Sequence, residues 1–146
     1  MLWLYLDDER FPSHDFFRNV FSDTDTILIF RNPSRLLEWI EINKPDEYSL
    51  SFDNDLGIGV DLEGRQVLDK IMEKVFNDEL AIPVTVRVHT NNVIARRAMA
   101  NCISSCRKHL DKYIRLTYPN HCMEITATEK EWMEFSKLYY VTVFDN

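Results

Sequence analysis

Hydrophobic and polar positions along the chain switch between two periods. Leu2–Leu6, Thr26–Phe30, Tyr48–Phe52 and residues 83–88 are short runs of apolar, aromatic and β-branched residues, which predicts four strands. Between them the apolar spacing lengthens to that of a helix. Ser13 can cap a brief helix over 13–21, with Phe16, Phe17 and Val20 facing inward. Asn32-Pro33 opens a second, in which Leu36, Leu37 and Ile40 recur, and Pro45 closes it. Val67, Leu68, Ile71, Met72, Val75 and Phe76 mark one face of a third. Ile94, Ala98, Met99, Ile103, Cys106 and Leu110 mark the buried side of a long fourth. Beyond Tyr113 the signal weakens. Residues 122–126 read as a strand, Thr128-x-x-Glu131 as a capping box opening a helix over 128–138, and Tyr140–Phe144 as a last strand.

Strands that are nearly continuous in apolar residues and alternate with helices predict a three-layer α/β fold: a mostly parallel sheet with helices on both faces. Parallel strands put their carboxyl ends on one edge, where such folds bind ligands. Three polar clusters fall at those ends: Asp7-Asp8-Glu9, Asp53-Asn54-Asp55 and His89-Thr90-Asn91-Asn92. The three glycines, Gly57, Gly59 and Gly64, crowd one loop, where the backbone must turn sharply or approach something closely. No linker or repeat divides residues 1–146, which predicts one domain.

Charge and cysteine content narrow the classes of function. A net charge of −7 in 146 residues argues against extended non-specific binding to DNA or anionic membranes, yet leaves room for a small nucleotide in a local basic notch. No apolar run approaches a bilayer-spanning length. Three cysteines and no secretory leader lead us to expect free thiols and a cytoplasmic location.

Adjacent carboxylates repel one another unless water or a cation lies among them. The converging clusters Asp7-Asp8-Glu9 and Asp53-Asn54-Asp55 offer hard oxygen ligands suited to Mg2+ or Mn2+, which retain waters and accept phosphate ligands. The plainer reading is that these acids end strands on a solvated rim. His89 stands at the same edge, where imidazole can exchange protons near neutral pH and neighbouring carboxylates favour its cation; alternatively it is a buried histidine satisfied by backbone. Thr90, Asn91 and Asn92 can cap the next helix or, with its free N–H groups, hold phosphate oxygens. Arg10 and Arg96 can clamp a phosphate, although a surface ion pair serves Arg96 nearly as well.

Leu6-Asp7-Asp8-Glu9-Arg10, Ser51-Phe52-Asp53-Asn54-Asp55-Leu56-Gly57 and the helix opening Gly64-x-x-Val67-Leu68-x-x-Ile71 resemble the response-regulator receiver domain. That resemblance implies a receiver/flavodoxin-like fold, with Asp7 and Asp8 as metal acids, Asp53 as phosphoryl acceptor and Thr90 as the hydroxyl residue after strand four. With Val88-His89-Thr90-Asn91-Asn92, Arg96 and Met99 added, the pattern is closer still to a divergent relative, the cyclic-phosphate processing receiver domain. The likeness spans roughly the first 105 residues; 1–112 would form the receiver-like core and 113–146 a C-terminal helix–strand addition. A receiver carries a lysine at the end of strand five, and no lysine stands at such a position; Lys130 and Lys137 fall inside the expected last helix.

The implied function is Mg2+- or Mn2+-dependent phosphoester hydrolysis on a cyclic phosphate, either a cyclic nucleotide or a 2′,3′-cyclic RNA end, with the ion held by Asp7, Asp8 and Asp53 or Asp55 and with Asp53 and His89 catalytic. One alternative is a non-catalytic module that binds phosphate, nucleotide or protein at the same edge. Another keeps receiver chemistry, with Asp53 phosphorylated. A third is a zinc site drawn from Cys102, Cys106, His109, His121 and Cys122, whose spacing fits no standard pattern. The aromatic tail with Trp132, Phe135, Tyr139, Tyr140 and Phe144 could belong to the core, cover the sheet edge or form a homodimer face.

Overall fold

A computed structural model describes residues 1–12, 24–57, 59–118, 130, 134 and 140–145. Six parallel strands form one sheet in the order β5-β4-β3-β1-β2-β6: β1 Leu2–Leu6, β2 Thr26–Phe30, β3 Tyr48–Phe52, β4 Thr85–Val88, β5 Arg115–Thr117 and β6 Tyr140–Phe144. The described helices are α1 Pro33–Asn43, α2 Gly64–Phe76 and α3 Val93–Arg107. This is the receiver/flavodoxin-like α/β architecture.

The period of two sorts the strand residues between the faces. Leu4, Leu6, Leu28, Phe30, Leu50, Phe52, Val86 and Val88 share one apolar cluster, and buried residues from each of the three described helices join it. The opposite face carries a smaller buried cluster of Trp3, Tyr5, Ile27 and Ile29, flanked by Val141 and Val143 of β6. Beneath β3 and β4 that face turns polar, with Ser49, Ser51, Thr85 and Arg87 all buried.

Helix boundaries follow local chemistry. The Asn32 side chain accepts N–H bonds from Ser34 (2.8 Å) and Arg35 (3.3 Å), and Pro33, which has no N–H to lose, fills the first position. α1 stops at Lys44, which takes a left-handed conformation (φ 41°) while its N–H bonds to Ile40 O. Asn92 caps α3 by accepting the Ala95 N–H at 3.0 Å.

Some expectations need correction. β4 begins at Thr85, because Pro83 cannot donate to the ladder. Phe76 and Ile94, expected inside, are 45% and 76% exposed; Ala95 takes the inward position at the start of α3. α3 ends at Arg107, leaving Leu110 beyond it. β5 was not anticipated, and it ends at Thr117 followed by Tyr118, where a receiver has lysine. β6 matches its expected bounds and pairs in parallel with β2, from Thr26↔Tyr140 to Phe30↔Phe144. The helix over 13–21 and the strand over 122–126 lie outside the described residues; of the helix over 128–138 only Lys130 and Glu134, both helical, are described. Among the described residues, no helix is long and apolar enough to cross a membrane.

Candidate functional site

The site grows from three strand ends held in register. The ladder continues one residue past each strand: Asp7 N–H donates to Phe30 O (3.2 Å), Asp53 N–H to Leu6 O (2.9 Å) and His89 N–H to Phe52 O (3.0 Å). The alternation that carries Tyr5, Ser51 and Arg87 onto the polar-sided face carries Asp7, Asp53 and His89 there as well. Asp7, Asp8 and Asp53 therefore converge, each offering one carboxylate oxygen within 4.8 Å of the others.

Asp7 is fully buried and its acceptors are filled. Oδ1 accepts the backbone N–H groups of Glu9 (3.0 Å) and Arg10 (2.8 Å). Oδ2 accepts from Arg10 Nε at 2.8 Å and lies 3.2 Å from His89 Nε2. Burial alone would push this carboxyl up, but the His89 hydrogen bond and charge and the Arg10 guanidinium hold it below the ordinary value. Asp7 is thus the ionised anchor of the site.

His89 is 1% exposed and engaged on every side. Its ring stacks on Tyr5, with centroids 4.5 Å apart and planes 5° from parallel. Because ionised Asp7 can only accept, Nε2 carries a proton; Nδ1 meets the Ser51 hydroxyl at 2.8 Å. The expected imidazole facing a ligand is instead an imidazole standing behind Asp7, with both nitrogens occupied.

Asp53 and Asp8 are the less satisfied acids. Asp53 Oδ1 accepts the Asn54 N–H (2.8 Å) and lies 3.2 Å from Arg10 Nη2, while its second oxygen accepts no hydrogen bond from the described residues. Burial and the neighbouring charge of Asp7 push Asp53 above the ordinary carboxyl value. Asp8, half-buried, is raised by burial and by Asp7 and Glu9. Two of the glycines serve these acids. A side chain at Gly64 would meet the Asp53 carbonyl oxygen at 1.8 Å, and Gly57 (φ 90°) leaves room beside Asp8, whose Oδ2 a Cβ would approach to 3.0 Å.

The remaining expected residues divide. Asp55 is exposed, accepts from Asn54 Nδ2 at 3.3 Å and stands outside the acidic trio. Thr90 is buried and its hydroxyl accepts the Asn92 N–H at 3.2 Å; Asn92 caps α3, and Asn91 is exposed. Arg96 donates from Nη2 to Thr90 O at 2.8 Å, so it braces the strand-four turn rather than forming a surface ion pair. Arg10 joins Asp7, Asp53 and, at 3.3 Å, His89 O. Among the described residues the acidic trio is the sole group with metal-ligand spacing; Cys102 and Cys106 lie together on α3 as free cysteines, their thiols pushed up by burial, and His109 is exposed. His121 and Cys122 lie outside the described residues.

Sequence reading assigned no role to Tyr5, Ser51 or Arg31. Arg31 Nη1 donates to Asp7 O (3.1 Å) and Arg10 O (2.6 Å), pinning the turn that aims Arg10. Strand parity could have found the first two: Tyr5 lies two residues before Asp7 and Ser51 two before Asp53, so each shares the face of its acid.

Comparison with known proteins places the chain in a family. No curated protein and no solved structure gives a significant match. Residues 2–105 match the family described as the cyclic-phosphate processing receiver domain, which is well over half of the sequence. The three strand ends that build the site all fall within that match, and the chain belongs to the cyclic-phosphate processing receiver domain family.

Proposed function

We propose that the carboxyl edge binds a divalent cation of the Mg2+ or Mn2+ type together with a cyclic phosphate, and that it hydrolyses the cyclic ester. The observation that carries this reading is the approach of Asp7, Asp8 and Asp53 oxygens to within 4.8 Å of one another, a hard-oxygen donor set that fits such an ion. Asp8 and Asp53 would be the direct ligands, since the acceptors of Asp7 are already filled. When bound, the ion would polarise the phosphoester and offset developing negative charge. Hydrolysis forms a bond from water oxygen to phosphorus and breaks one ring P–O bond; the freed alkoxide takes up a proton, leaving a phosphomonoester. Asp53, with one oxygen that accepts no hydrogen bond from the described residues, suits the orientation of the attacking water. Arg10 and the polar residues Thr90 and Asn91 at the start of α3 suit the phosphate oxygens. His89 keeps Asp7 ionised and oriented.

A binding module without chemistry is favoured by one observation: His89 is enclosed and both its nitrogens are taken, so among the described residues the edge presents no open imidazole to act as an acid. One experiment separates the two readings. Cyclic mono-, di- and oligonucleotides and 2′,3′-cyclic-ended RNA are incubated with the protein and Mg2+, and both product formation and ligand retention are measured. Turnover of one compound that disappears in Asp53→Ala supports hydrolysis; tight retention without product supports the binding module, and turnover that survives Asp53→Ala removes this aspartate from the mechanism.

A further inference from the structure

We propose that Arg31 is the positioning residue that aims Asp8 at the divalent cation, acting through the backbone of the turn that follows β1. This rests on the proposed function and adds to it a residue that holds a ligand in place without being one. Two sets of hydrogen bonds fix the turn over Asp7-Asp8-Glu9-Arg10. Asp7 Oδ1 accepts the N–H groups of Glu9 at 3.0 Å and Arg10 at 2.8 Å. Arg31 Nη1, which carries two N–H bonds, donates to the carbonyl oxygens of Asp7 at 3.1 Å and Arg10 at 2.6 Å. These bonds are charge-assisted, and they tie the first and last residues of the turn to one nitrogen. Arg31 is itself anchored: its N–H donates to Phe144 O on β6 at 3.1 Å, and its guanidinium lies 4.5 Å from the centre of the Phe11 ring.

The three acids depend on this turn unequally. The Asp7 carboxylate is held by the side chains of His89 and Arg10. Asp53 continues β3, where its N–H donates to Leu6 O, and its carboxylate accepts the Asn54 N–H. Asp8 stands between the two residues whose carbonyls Arg31 holds, and among the described residues no side chain donates to its carboxylate. Its Oδ2 passes close to the Gly57 backbone, where a Cβ would meet it at 3.0 Å. The aim of Asp8 is therefore set by the backbone that carries it, and Arg31 fixes that backbone on both flanks. Support of this kind is worth as much to a metal site as some of its ligands.

Two measurements test this: Mn2+ affinity, from the electron paramagnetic resonance of the free ion, and amide hydrogen exchange of the metal-free protein. The variants are Arg31→Ala, Arg31→Lys and a control, Arg35→Ala, whose guanidinium lies 5.0 Å from the Phe144 ring centre and 3.7 Å from Glu38. Arg31→Ala is expected to lose roughly tenfold to a hundredfold in Mn2+ affinity, with faster exchange at the Glu9 and Arg10 amides. The sign is diagnostic, because removing a positive charge near a cation site by itself strengthens cation binding. Arg31→Lys keeps the charge without the planar fork and should fall between wild type and Arg31→Ala. Arg35→Ala should bind Mn2+ as wild type does. Folded Arg31→Ala that binds Mn2+ as tightly as wild type, or more tightly, overturns the proposal while leaving the metal site standing. So does an equal loss in Arg35→Ala, or a loss in Arg31→Ala with exchange at Glu9 and Arg10 unchanged. Should Arg31→Ala fail to fold, Arg31→Lys decides by the same comparison, and wild-type affinity in that variant overturns the proposal. Failure of wild type to bind Mn2+ removes the proposed function as well.

Discussion

The two faces of the sheet are built from the same strands and do different work. One face is apolar from Leu28 across to Val86 and is covered by α1, α2 and α3. The other divides: beneath β1 and β2 it is apolar, with Trp3, Tyr5, Ile27 and Ile29, and beneath β3 and β4 it holds Ser49, Ser51, Thr85 and Arg87, all buried. A buried hydroxyl costs free energy unless it finds a partner, whereas a buried leucine gains on transfer from water. The polar half is therefore the face on which stability has been traded for placement of the acids. Ser51 shows this directly, since its hydroxyl fixes the ring that fixes Asp7.

Breaking the apolar face should produce the largest loss. Leu50→Ala removes a fully buried side chain and is expected to cost about 2–5 kcal/mol in denaturant unfolding. On the polar face Ser51→Ala should cost less, roughly 1–3 kcal/mol, for leaving His89 Nδ1 unpartnered in a buried place. Its effect on Mn2+ affinity should be out of proportion to that loss, because the site acids are untouched while their orientation is not. A variant that loses stability without losing affinity would dissolve the contrast between the faces.

Asp53→Asn sharpens the comparison through its sign. The folded Asp53 carboxyl titrates above its ordinary value of 3.8, so its contribution to stability is present below that value and is lost as pH rises through the higher folded one. At neutral pH the ionised group therefore costs stability, and Asp53→Asn should melt at the same temperature as wild type or higher while losing Mn2+ binding. Asp7 has the opposite sign: its depressed carboxyl stabilises above the ordinary value, and that contribution is lost as pH falls through the lower folded one. Because Asp8 and Asp53 are both raised, Mn2+ affinity should begin to fall, as pH is lowered, above the ordinary carboxylate range. The smallest effect is expected far from both faces. Lys74→Ala, which removes the surface pair with Glu41, should leave the melting temperature unchanged.

Much of the frame was legible because strand ends coincide with abrupt changes in chemistry. β1, β2 and β3 have their expected bounds, since each apolar run stops at a charged or polar residue. β5 escaped because Arg115-Leu116-Thr117 offers one apolar residue and no period. Ile94 misled because adjacent apolar residues at a helix start satisfy a helical spacing about equally well, and packing chose Ala95. At the site, convergence of Asp7, Asp8 and Asp53 followed from parallel strands alone. The enclosure of His89 did not, because it depends on Ser51 and Tyr5 from two other strands. Asp55 was carried along by proximity to Asp53, yet a two-residue step in the loop after β3 does not preserve the strand's facing.

The placement of β6 beside β2 bears on how the sheet is completed during synthesis. Thr26 and Tyr140 are ladder neighbours although more than a hundred residues of chain separate them, and β5 likewise closes the other edge late. β4 presents unpaired backbone to any passing strand until β5 is made, and β2 does so until β6 follows. A fragment cut at residue 105, where the family match stops, would keep Asp7, Asp8 and Asp53 and would make β2 and β4 the edge strands in place of β6 and β5. The strands that place the acids are thus flanked on both sides by strands from beyond the family match.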